Sequence, residues 1–497
     1  MPSGLFQQNQ ELRIKNKPLT GFMVVAPMTV AVGEPVRIKI KALCQNRVIH
    51  PNAFAWKFPR LSGPANISAR GLAYMDNVPC WKGDVLVDGG DFLTGPKTVC
   101  FDGVEQGVFP ADTRAIKSCA GWHFSKPGIY FIKIVDPSSG AEGVSNPVVV
   151  TQDEPRDKLY WGDVHWQSFL TDGLRFPEEL YDFARDEAFL DFGAASDHAD
   201  GLTDRQWEYF KNVTNDYNKD GVFATLLGLE WSSQKYGHRN IYYPGDDGPI
   251  IRSNDSKGDT LEKLFNTLKG REALVIPHHS ASADMGVNWD YGWHAGYEKS
   301  VEIASCWGSS ECCYEDGNIC PVSFGNGEQK GQHVIDALKK GFRFGFIGGG
   351  DIHDGRPGDA LHQYQPLPEY AYLFNQGFAA AYAPALNRRN IFDAIAARRT
   401  YAANNRRIYV DMTIDGKRIG SDLDAAETHE VEITAASTNF LKSIEMVGMS
   451  GVLRGFDLPL NQRVYKTKIH MKIDSPFCYL RLSTQNEGLA WVSPYYK

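Results

Sequence analysis

The chain has 497 residues, of which 42% are hydrophobic and 23% are charged, and its formal net charge is −8. This length is too great for one typical hydrophobic core, so we expect two or three domains, and the ordinary composition argues against wholesale disorder. The acidic charge balance provides no electrostatic attraction to nucleic acid or to an anionic membrane, whereas an anionic small molecule would need only a metal ion or local positive charge.

Residues 1–155 are predicted to form a β-rich N-terminal domain. Stretches such as EPVRIKIKAL and GIYFIKIVD alternate or run apolar, and turn signals such as DGG and PSSG separate them. The run from 127 to 150 is typical of the closing strands of a small β-sandwich. The N-terminus lacks the apolar segment of a secretory signal, and no apolar run in the chain approaches the roughly 20 residues of a membrane span. We therefore expect a cytoplasmic protein that does not bind a membrane.

Residues 156–405 differ in kind, because apolar strand-like runs alternate with helical patterns at the spacing of βα units. This alternation predicts an α/β domain built from seven runs: LYWGDVH (159–165), FLDFGAASDH (189–198), FATLLGLE (223–230), ALVIPHH (273–279), VEIAS (301–305), FGFIGGGDIH (344–353) and GFAAAYA (377–383). Helices are predicted over NRRNIFDAIAARR and over PEELYDFARDEAFL, which begins with Pro and carries Leu180, Phe183 and Ala184 on one face. Residues 406–497 return to β patterns, such as EVEITAAS and YKTKIHMKI, and are predicted to form a C-terminal β-rich domain.

Acidic residues and histidines are concentrated in these runs. Six of the seven runs contain them, mostly at the C-terminal end: Asp163 and His165, Asp197 and His198, Glu230, His278 and His279, Glu302, Asp351 and His353. The C-terminal ends of parallel barrel strands converge at one mouth, so we expect these side chains to meet. Imidazole and carboxylate together suit zinc, manganese or iron. A bound cation cluster is favoured over a purely structural role, because burying so many ionisable groups without a counter-charge costs several kcal/mol each.

Two further features accompany these runs. Gly348, Gly349 and Gly350 precede Asp351, and we expect them to let the strand end pass close to a metal site without intruding side chains. The long segment after the fifth run contains four cysteines: Cys306, Cys312, Cys313 and Cys320. They form either a structural zinc site or reduced thiols on a loop with at most one disulfide, and the adjacent pair favours the thiols.

The ordered motifs resemble those of the PHP (polymerase and histidinol phosphatase) superfamily. They are GDVHWQSFLTDG, SDH, GLEW with a His eight residues after its Glu, PHH, and GGGDIHDGRPG. More narrowly, the chain resembles a large bacterial PHP-like family of unassigned function, a likeness that extends to RRNIFDAIAARRTYA and GLAWVSP and covers roughly 156–497. The resemblance implies a distorted (β/α)7 barrel, here flanked by the two β-rich domains, and two or three divalent metal ions (Zn, Mn or Fe).

The resemblance also implies three groups of metal ligands. These are His165, Glu230 and Asp351; Glu230, His238 and His278, in preference to His279; and Asp172, His198 and His353. The superfamily's first motif is usually H-x-H, whereas here it reads His165-Trp166-Gln167. The amide oxygen of Gln167 is a poorer ligand for a transition metal than imidazole, so the occupancy of one site and the metal preference stay open.

The activity implied by the resemblance is hydrolysis of a small anionic phosphomonoester or diester by a hydroxide that bridges two metal ions. Asp351 or a nearby histidine, His279, would relay the proton to the leaving group. Arg356 would bind phosphate oxygens, with an ordinary salt bridge as the alternative. The same site would serve a hydrolase of carboxylic esters, amides, lactones or sulfate esters. The remaining hypothesis is a non-catalytic binding protein. The sequence has no basic, aromatic-rich track, so we expect no nucleic-acid partner.

Substrate choice is expected to depend on the long loop after the fifth run, since long loops at a barrel mouth commonly set specificity. Four tryptophans are candidates either for lining a pocket or for core packing: Trp166, Trp231, Trp289 and Trp293.

Overall fold

The computed structural model describes residues 19–44, 81–102, 115–322, 326–353, 355–358, 376–404, 406–485 and 488–497. The described residues up to Lys158 form one compact unit, and those from Leu159 onward form a second. Within these ranges, no helix is both long enough and apolar enough to cross a lipid bilayer.

The first unit is built from β-strands in the described ranges. They are β1 (Leu19–Val25), β2 (Thr29–Ala31), β3 (Val36–Cys44), β4 (Lys82–Asp88), β5 (Leu93–Thr94), β6 (Thr98–Asp102), β7 (Ile116–Phe124), β8 (Gly128–Tyr130), β9 (Lys133–Val135), β10 (Glu142–Val144) and β11 (Val148–Thr151). The sheet orders are β1-β3-β7-β5, β10-β9-β4-β6 and β2-β11-β8. Ile38, Val85 and Val148, one from each sheet, lie in a single apolar core. The strands predicted from EPVRIKIKAL and GIYFIKIVD are confirmed as β3 and as β8 with β9.

The second unit combines strands with short helices. Its strands are β12 (Lys158–Trp166), β13 (Phe192–Ala195), β14 (Ala224–Thr225), β15 (Leu227–Ser233), β16 (Gly237–Tyr243), β17 (Leu274–Pro277), β18 (Ser300–Ser305), β19 (Gly308–Ser309), β20 (Gly345–Gly348), β21 (Gly377–Ala383), β22 (Thr400–Asn404), β23 (Tyr409–Ile414), β24 (Lys417–Arg418), β25 (His429–Ala436), β26 (Leu441–Gly448), β27 (Gly451–Gly455), β28 (Val464–Met471), β29 (Phe477–Thr484), β30 (Leu489–Val492) and β31 (Tyr495–Tyr496). Its helices are α1 (Pro177–Asp182), which continues as a π-helix over Phe183–Glu187, α2 (Asp204–Tyr217), α3 (Leu261–Leu268), α4 (Val334–Lys339) and α5 (Arg388–Ala396).

All seven predicted apolar runs contain strands, namely β12, β13, β14 with β15, β17, β18, β20 and β21. Both predicted helices are also present. α1 begins at Pro177, and Leu180, Phe183 and Ala184 are buried together, as their spacing predicts. α5 begins after Asn387, whose side chain accepts a hydrogen bond from the backbone N–H of Asn390 and so caps the helix. The mixed α/β class is therefore confirmed for this part of the chain.

The strands of these runs are divided among three sheets. β14, β13, β12 and β21 begin a ten-stranded sheet of order β14-β13-β12-β21-β22-β30-β29-β26-β27, in which β31 pairs with β29. The other two are β15-β16-β17 and β19-β18-β20. Hydrogen bonding among the described residues therefore closes no barrel, and the predicted (β/α)7 barrel is not confirmed. β16 pairs antiparallel with both β15 and β17, which interrupts the parallel order of a regular βα barrel. The sequence patterns did not predict this strand.

The C-terminal segment packs with the predicted α/β segment in the second unit. Strands β26, β29 and β30 extend the ten-stranded sheet, and Tyr479 and Trp491 share an apolar core with Val301 and Phe346. A buried carboxylate lies in this core region. Glu311 accepts hydrogen bonds from Tyr479 Oη (2.7 Å), Arg481 Nη1 (3.1 Å) and Trp491 Nε1 (2.7 Å). These bonds tie the loop after β18 to the C-terminal strands.

We expect Glu311→Ala to lower the free energy of unfolding of the second unit by about 3 kcal/mol, because three donors lose their acceptor in a buried site. Tyr479→Phe removes one donor only and should cost about 1 kcal/mol. Denaturant unfolding followed by tryptophan fluorescence measures both. Equal unfolding midpoints for Glu311→Ala and the wild type would contradict the prediction.

Candidate metal centre

Two parallel bridges bring the polar strand ends together. Trp166 pairs with Ile352, and the backbone N–H of Gln167 donates to the carbonyl of Ile352 at 3.1 Å. The end of β12 therefore lies beside the segment that carries Asp351 and His353. The second bridge joins His198 to Glu230 and places the end of β13 beside β15.

Glu230 lies at the centre of the cluster and is buried. Its carboxylate oxygens are 2.7 Å from His238 Nδ1, 3.3 Å from His165 Nε2 and 3.3 Å from His198 Nδ1. His278 Nε2 lies 3.5 Å from Oε1 of the same carboxylate. Four imidazoles from different strands or strand ends thus surround one side chain, a geometry that suits a carboxylate shared between metal ions.

Three groups of side chains place their ligand atoms within 4.8 Å of one another: His165, Glu230 and His278; His238, His278 and His279; and Asp172, His198 and His353. The last group contains the same residues as the third predicted ligand set. The first predicted set also comes together, because His165 Nε2 lies 3.3 Å from Glu230 and 3.4 Å from Asp351 Oδ1.

The second predicted set comes together around Glu230, which contacts both His238 and His278. His278 belongs to two of the three groups, whereas His279 belongs to one and lies 3.9 Å from Asp351 Oδ2. His278 is therefore the better placed of the two adjacent histidines to serve as a shared ligand.

Several buried polar atoms of the cluster have no hydrogen-bond partner among the described residues. They are His238 Nε2, both ring nitrogens of His278, His279 Nδ1 and Gln167 Oε1. Buried imidazole nitrogens without partners are energetically costly, and a divalent cation would satisfy them. The residues present therefore fit a metal centre of nitrogen and oxygen ligands.

The cluster is strongly coupled electrostatically. Burial would lower the pKa of His165, but the carboxylates of Asp351, Glu302 and Glu230 raise it well above its ordinary value of 6.5. Burial would also lower the pKa of His198, but the carboxylates of Glu230 and Asp172 raise it well above 6.5. Burial would raise the pKa of Glu230, but the surrounding histidines hold it well below 4.5.

We expect the affinity of the cluster for Zn²⁺ to keep rising with pH above neutrality. His165 and His198 retain protons above their ordinary pKa of 6.5, and a metal ligand must be neutral imidazole, so each such ligand must first lose a proton. Chelator competition from about pH 6.5 to about pH 8.5 should show affinity rising at least about tenfold per pH unit. An affinity that levels off below pH 7, as for ordinary imidazoles, would contradict this expectation.

The cluster has a buried end and an exposed end. His165, Glu230, His278 and Asp351 are buried, whereas the side chains of His198 and Asp172 are 26% and 35% exposed. Solvent therefore reaches the cluster from the side of His198 and Asp172. Two residues of the cluster region have a positive φ, His279 at 33° and Asp351 at 47°. Such strain in non-glycine residues is typical of functional sites.

A carboxylate without a predicted role orients His165. Glu302, on β18, lies 3.0 Å from His165 Nδ1 through Oε2, which leaves Nε2 facing Glu230 and Asp351. Carboxylates that hold the second ring nitrogen of a metal-binding histidine fix its tautomer and raise its basicity. The signal in the sequence was an acidic residue inside the apolar run VEIAS, but its partner could not be read from the pattern.

Two of the three glycines, Gly349 and Gly350, approach the cluster closely, whereas a Cβ on Gly348 would meet the backbone of Phe378. A Cβ on Gly349 would lie 2.1 Å from Glu302 Oε2 and 2.8 Å from His165 Cβ, and a Cβ on Gly350 would lie 2.4 Å from Asp163 Oδ2. Asp163 is buried and accepts hydrogen bonds from the backbone N–H groups of His165 (3.0 Å) and Gly350 (2.7 Å). The expected close approach of the strand end is therefore seen at Gly349, next to the candidate ligand His165, and at Gly350, next to Asp163.

We expect Gly349→Ala to weaken metal binding about 10- to 100-fold, because the new methyl group must displace Glu302 and release its hold on His165. Overpacking should also cost about 1–3 kcal/mol of stability. Gly245→Ala is the matched control, since a Cβ there meets no heavy atom within 4 Å. Chelator competition and thermal unfolding measure the two effects, and wild-type metal affinity in Gly349→Ala would contradict the prediction.

Gln167 and Arg356 both lie in buried positions. The amide nitrogen of Gln167 donates to Glu230 Oε2 at 2.9 Å, so rotation of the amide would be needed to present its oxygen to an ion. Arg356 is completely buried, with its guanidinium 5.0 Å from the ring centroid of Phe183. This burial excludes a solvent-exposed salt bridge for Arg356.

Three of the four candidate tryptophans, Trp166, Trp231 and Trp289, are buried, which agrees with the core-packing alternative. Trp293 is partly buried, packs against the core and stacks on Phe342 at 5.7 Å. The ring of another tryptophan, Trp307, lies against a candidate ligand, with its centroid 6.1 Å from that of His353.

The loop cysteines do not form a metal site among the described residues. Cys306, Cys312, Cys313 and Cys320 are free thiols, which agrees with the favoured alternative. Cys306 lies nearest to the cluster and donates to the backbone carbonyl of Asp351, with Sγ at 3.2 Å.

Comparisons with known proteins find relatives without an assigned activity. A family described as a protein of unknown function (DUF3604) matches residues 171–315. An uncharacterized protein of Chlamydia pneumoniae is 26% identical over 394 residues, and one of Chlamydia trachomatis is 27% identical over 399. Each alignment covers 75% of this chain and 62% of the relative, so the chain spans under two thirds of the length of these proteins.

One solved structure is similar at a low level. It is a two-domain protein from Bacteroides vulgatus that contains a predicted PHP-like metal-dependent phosphoesterase. The sequence identity is 14% and the TM-score 0.33, with 69% of this chain and 96% of that chain covered. A similarity of this size does not establish a shared fold or a shared activity.

Proposed function

We propose that this chain is a metal-dependent hydrolase that cleaves phosphoesters of small organic molecules. The observation that carries the proposal is the arrangement around Glu230, where three groups of ligand atoms each lie within 4.8 Å and buried imidazole nitrogens have no hydrogen-bond partner among the described residues. The PHP-like motifs support the phosphoester as the bond cleaved.

The proposed metal ligands are the members of the three predicted ligand sets, with Gln167 as a weaker oxygen ligand: His165, Asp172, His198, Glu230, His238, His278, Asp351 and His353. Two or three bound divalent ions would supply an activated water and neutralise charge on the phosphoryl oxygens. Glu230 would hold neighbouring ions at one carboxylate, and Glu302 would keep His165 in the tautomer that presents Nε2.

Proton transfer to the leaving group is assigned to Asp351 or His279. Burial lowers the pKa of His279, and the neighbouring His278 lowers it further, which keeps the imidazole neutral and able to accept a proton. Asp351 is held ionised, because the charge of His165 above all outweighs the effect of burial on its pKa. Either group would therefore first accept the proton that the attacking water releases and then pass it to the leaving group. Arg356 is proposed to favour an anionic substrate through its charge.

The test is a substrate panel run with chelator-treated protein and with protein reconstituted with Zn²⁺, Mn²⁺ or Fe²⁺. The panel contains phosphomonoesters, phosphodiesters, carboxylic esters, amides, lactones and sulfate esters. Their organic groups are matched between the classes, so that the bond to be cleaved is the main difference. Phosphoester hydrolysis that depends on added metal supports the proposal. Metal-dependent hydrolysis of another class alone would reassign the bond, and a protein that binds less than one ion per chain after reconstitution would overturn the proposal.

A further inference from the structure

A pair of exposed phenylalanines lies on the same loop as two candidate ligands. Phe169 and Phe176 are 53% and 49% exposed, and their ring centroids are 5.3 Å apart. The loop runs from Gln167 at the end of β12 to α1 and includes Asp172. Most phenylalanines are buried, so two in contact with each other and both half-exposed mark a candidate interaction site.

The loop is held firmly, which fixes the positions of the two rings. Ser168 Oγ and Thr171 Oγ1 donate to the buried carboxylate of Asp197 at 2.8 Å and 2.6 Å. The backbone N–H of Phe169 donates to the carbonyl of Arg175 at 2.6 Å, which brings Phe169 next to Phe176. A Cβ on Gly173 would lie 2.0 Å from the carbonyl oxygen of Gln167, so the loop closes tightly on itself.

Asp172, at the exposed end of the ligand cluster, lies on the loop that carries both rings. Asp172 is three positions after Phe169, which limits the distance between their Cα atoms to about 11 Å. It is four positions before Phe176, for which the limit is about 14 Å. Asp172 contacts His198 and His353 at 3.6 Å and 3.3 Å, and its own side chain is 35% exposed. The two rings therefore lie on a segment that is within reach of a substituent on a substrate whose ester group binds at the third ligand group.

We propose that Phe169 and Phe176 form a binding subsite for an aromatic ring of the substrate. This inference rests on the proposed function and assigns the substrate class as phosphoesters with an aryl or arylalkyl group. An aromatic ring is the chemistry that this pair recognises best, since edge-to-face and offset contacts with phenyl rings add to the gain from burying apolar surface. The exposed rings lose contact with water when such a substrate binds.

The test compares 2-phenylethyl phosphate with ethyl phosphate, whose leaving alkoxides are similar in basicity. The metal-loaded wild type should have a kcat/KM at least about tenfold higher for the aromatic ester. Phe169→Ala and Phe176→Ala should each lower kcat/KM for 2-phenylethyl phosphate about fivefold. The kcat/KM for ethyl phosphate should stay at the wild-type value in both variants. Leu460→Ala is the control, because Leu460 is an apolar side chain with 89% exposure on a segment outside this loop. Equal metal content in all variants shows that the cluster is intact.

The outcomes separate this inference from the proposed function. Turnover of both esters without an aromatic preference, or equal losses for both esters in the phenylalanine variants, would overturn the subsite alone. If the wild type turns over neither ester, the proposed function fails for these compounds. Binding of 2-phenylethylphosphonate and ethylphosphonate to the metal-loaded protein then decides the subsite. At least fivefold tighter binding of the aromatic phosphonate, lost in Phe169→Ala, would support it, and equal or absent binding of the two would overturn it.

Discussion

Glu230→Gln is expected to remove most of the bound metal and to lower kcat/KM by at least about a thousandfold. The substitution preserves the volume of the side chain but removes the charge that lies 2.7–3.5 Å from four imidazoles. The group Asp172, His198 and His353 does not include Glu230 and should retain its ion. Elemental analysis of Zn, Mn and Fe should therefore find at most about one ion per chain in the variant.

The matched control for Glu230→Gln is Glu311→Gln. Both carboxylates are buried, but Glu311 is bonded to Tyr479, Arg481 and Trp491 and belongs to none of the three ligand groups. The control should keep the wild-type metal content in the folded protein. Wild-type metal content in Glu230→Gln would remove the basis of the proposed function, and equal loss in both variants would indicate a general effect of buried Glu→Gln replacement.

Glu302→Ala is expected to weaken metal binding about 10- to 100-fold and to lower kcat/KM in proportion at limiting metal. Glu302 accepts the only hydrogen bond described for His165 Nδ1, so its loss frees the ring to rotate and to change tautomer. Loss of the carboxylate should also lower the pKa of His165, because Glu302 is one of the groups that raise it. The metal affinity of the variant should therefore stop rising with pH at a lower pH than that of the wild type, because His165 loses its proton at a lower pH.

Glu302→Gln separates orientation from charge. The amide oxygen of glutamine still accepts a hydrogen bond from Nδ1, so this variant should recover part of the metal affinity that Glu302→Ala loses. Chelator competition across pH measures both the affinity and its pH dependence. If Glu302→Gln and Glu302→Ala bound the metal equally weakly, loss of the negative charge alone would explain the effect. If neither differed from the wild type, Glu302 would have no part in positioning His165.

The individual strands and two of the helices could be predicted because their signals are local. LYWGDVH and GFAAAYA are apolar over their whole length, and the PEELYDFARDEAFL segment has a helical apolar face. The candidate ligands could be predicted for a related reason. Asp and His at the ends of apolar runs are rarely buried without a partner, so Asp351 and His353 indicated a cation before any geometry was known.

The pairing of strands could not be read in the same way. β16 carries His238, but its sequence HRNIYY has no strong strand pattern, and its antiparallel position between β15 and β17 depends on distant partners. The distances that place His278 beside Glu230 and His279 beside Asp351 also depend on the tertiary structure. The partner of Glu302 and the burial of Arg356 likewise depended on contacts between residues far apart in the chain.

The sequence by itself therefore determined which residues are available for metal chemistry and on which strands most of them lie, because hydrophobic periodicity and residue chemistry are properties of short segments. Only the tertiary structure decided that one carboxylate, Glu230, meets four histidines, that Glu302 holds His165, and that Phe169 and Phe176 are exposed on the loop that carries Asp172. These features depend on the packing of strands that are up to about two hundred residues apart, and no local pattern encodes such contacts.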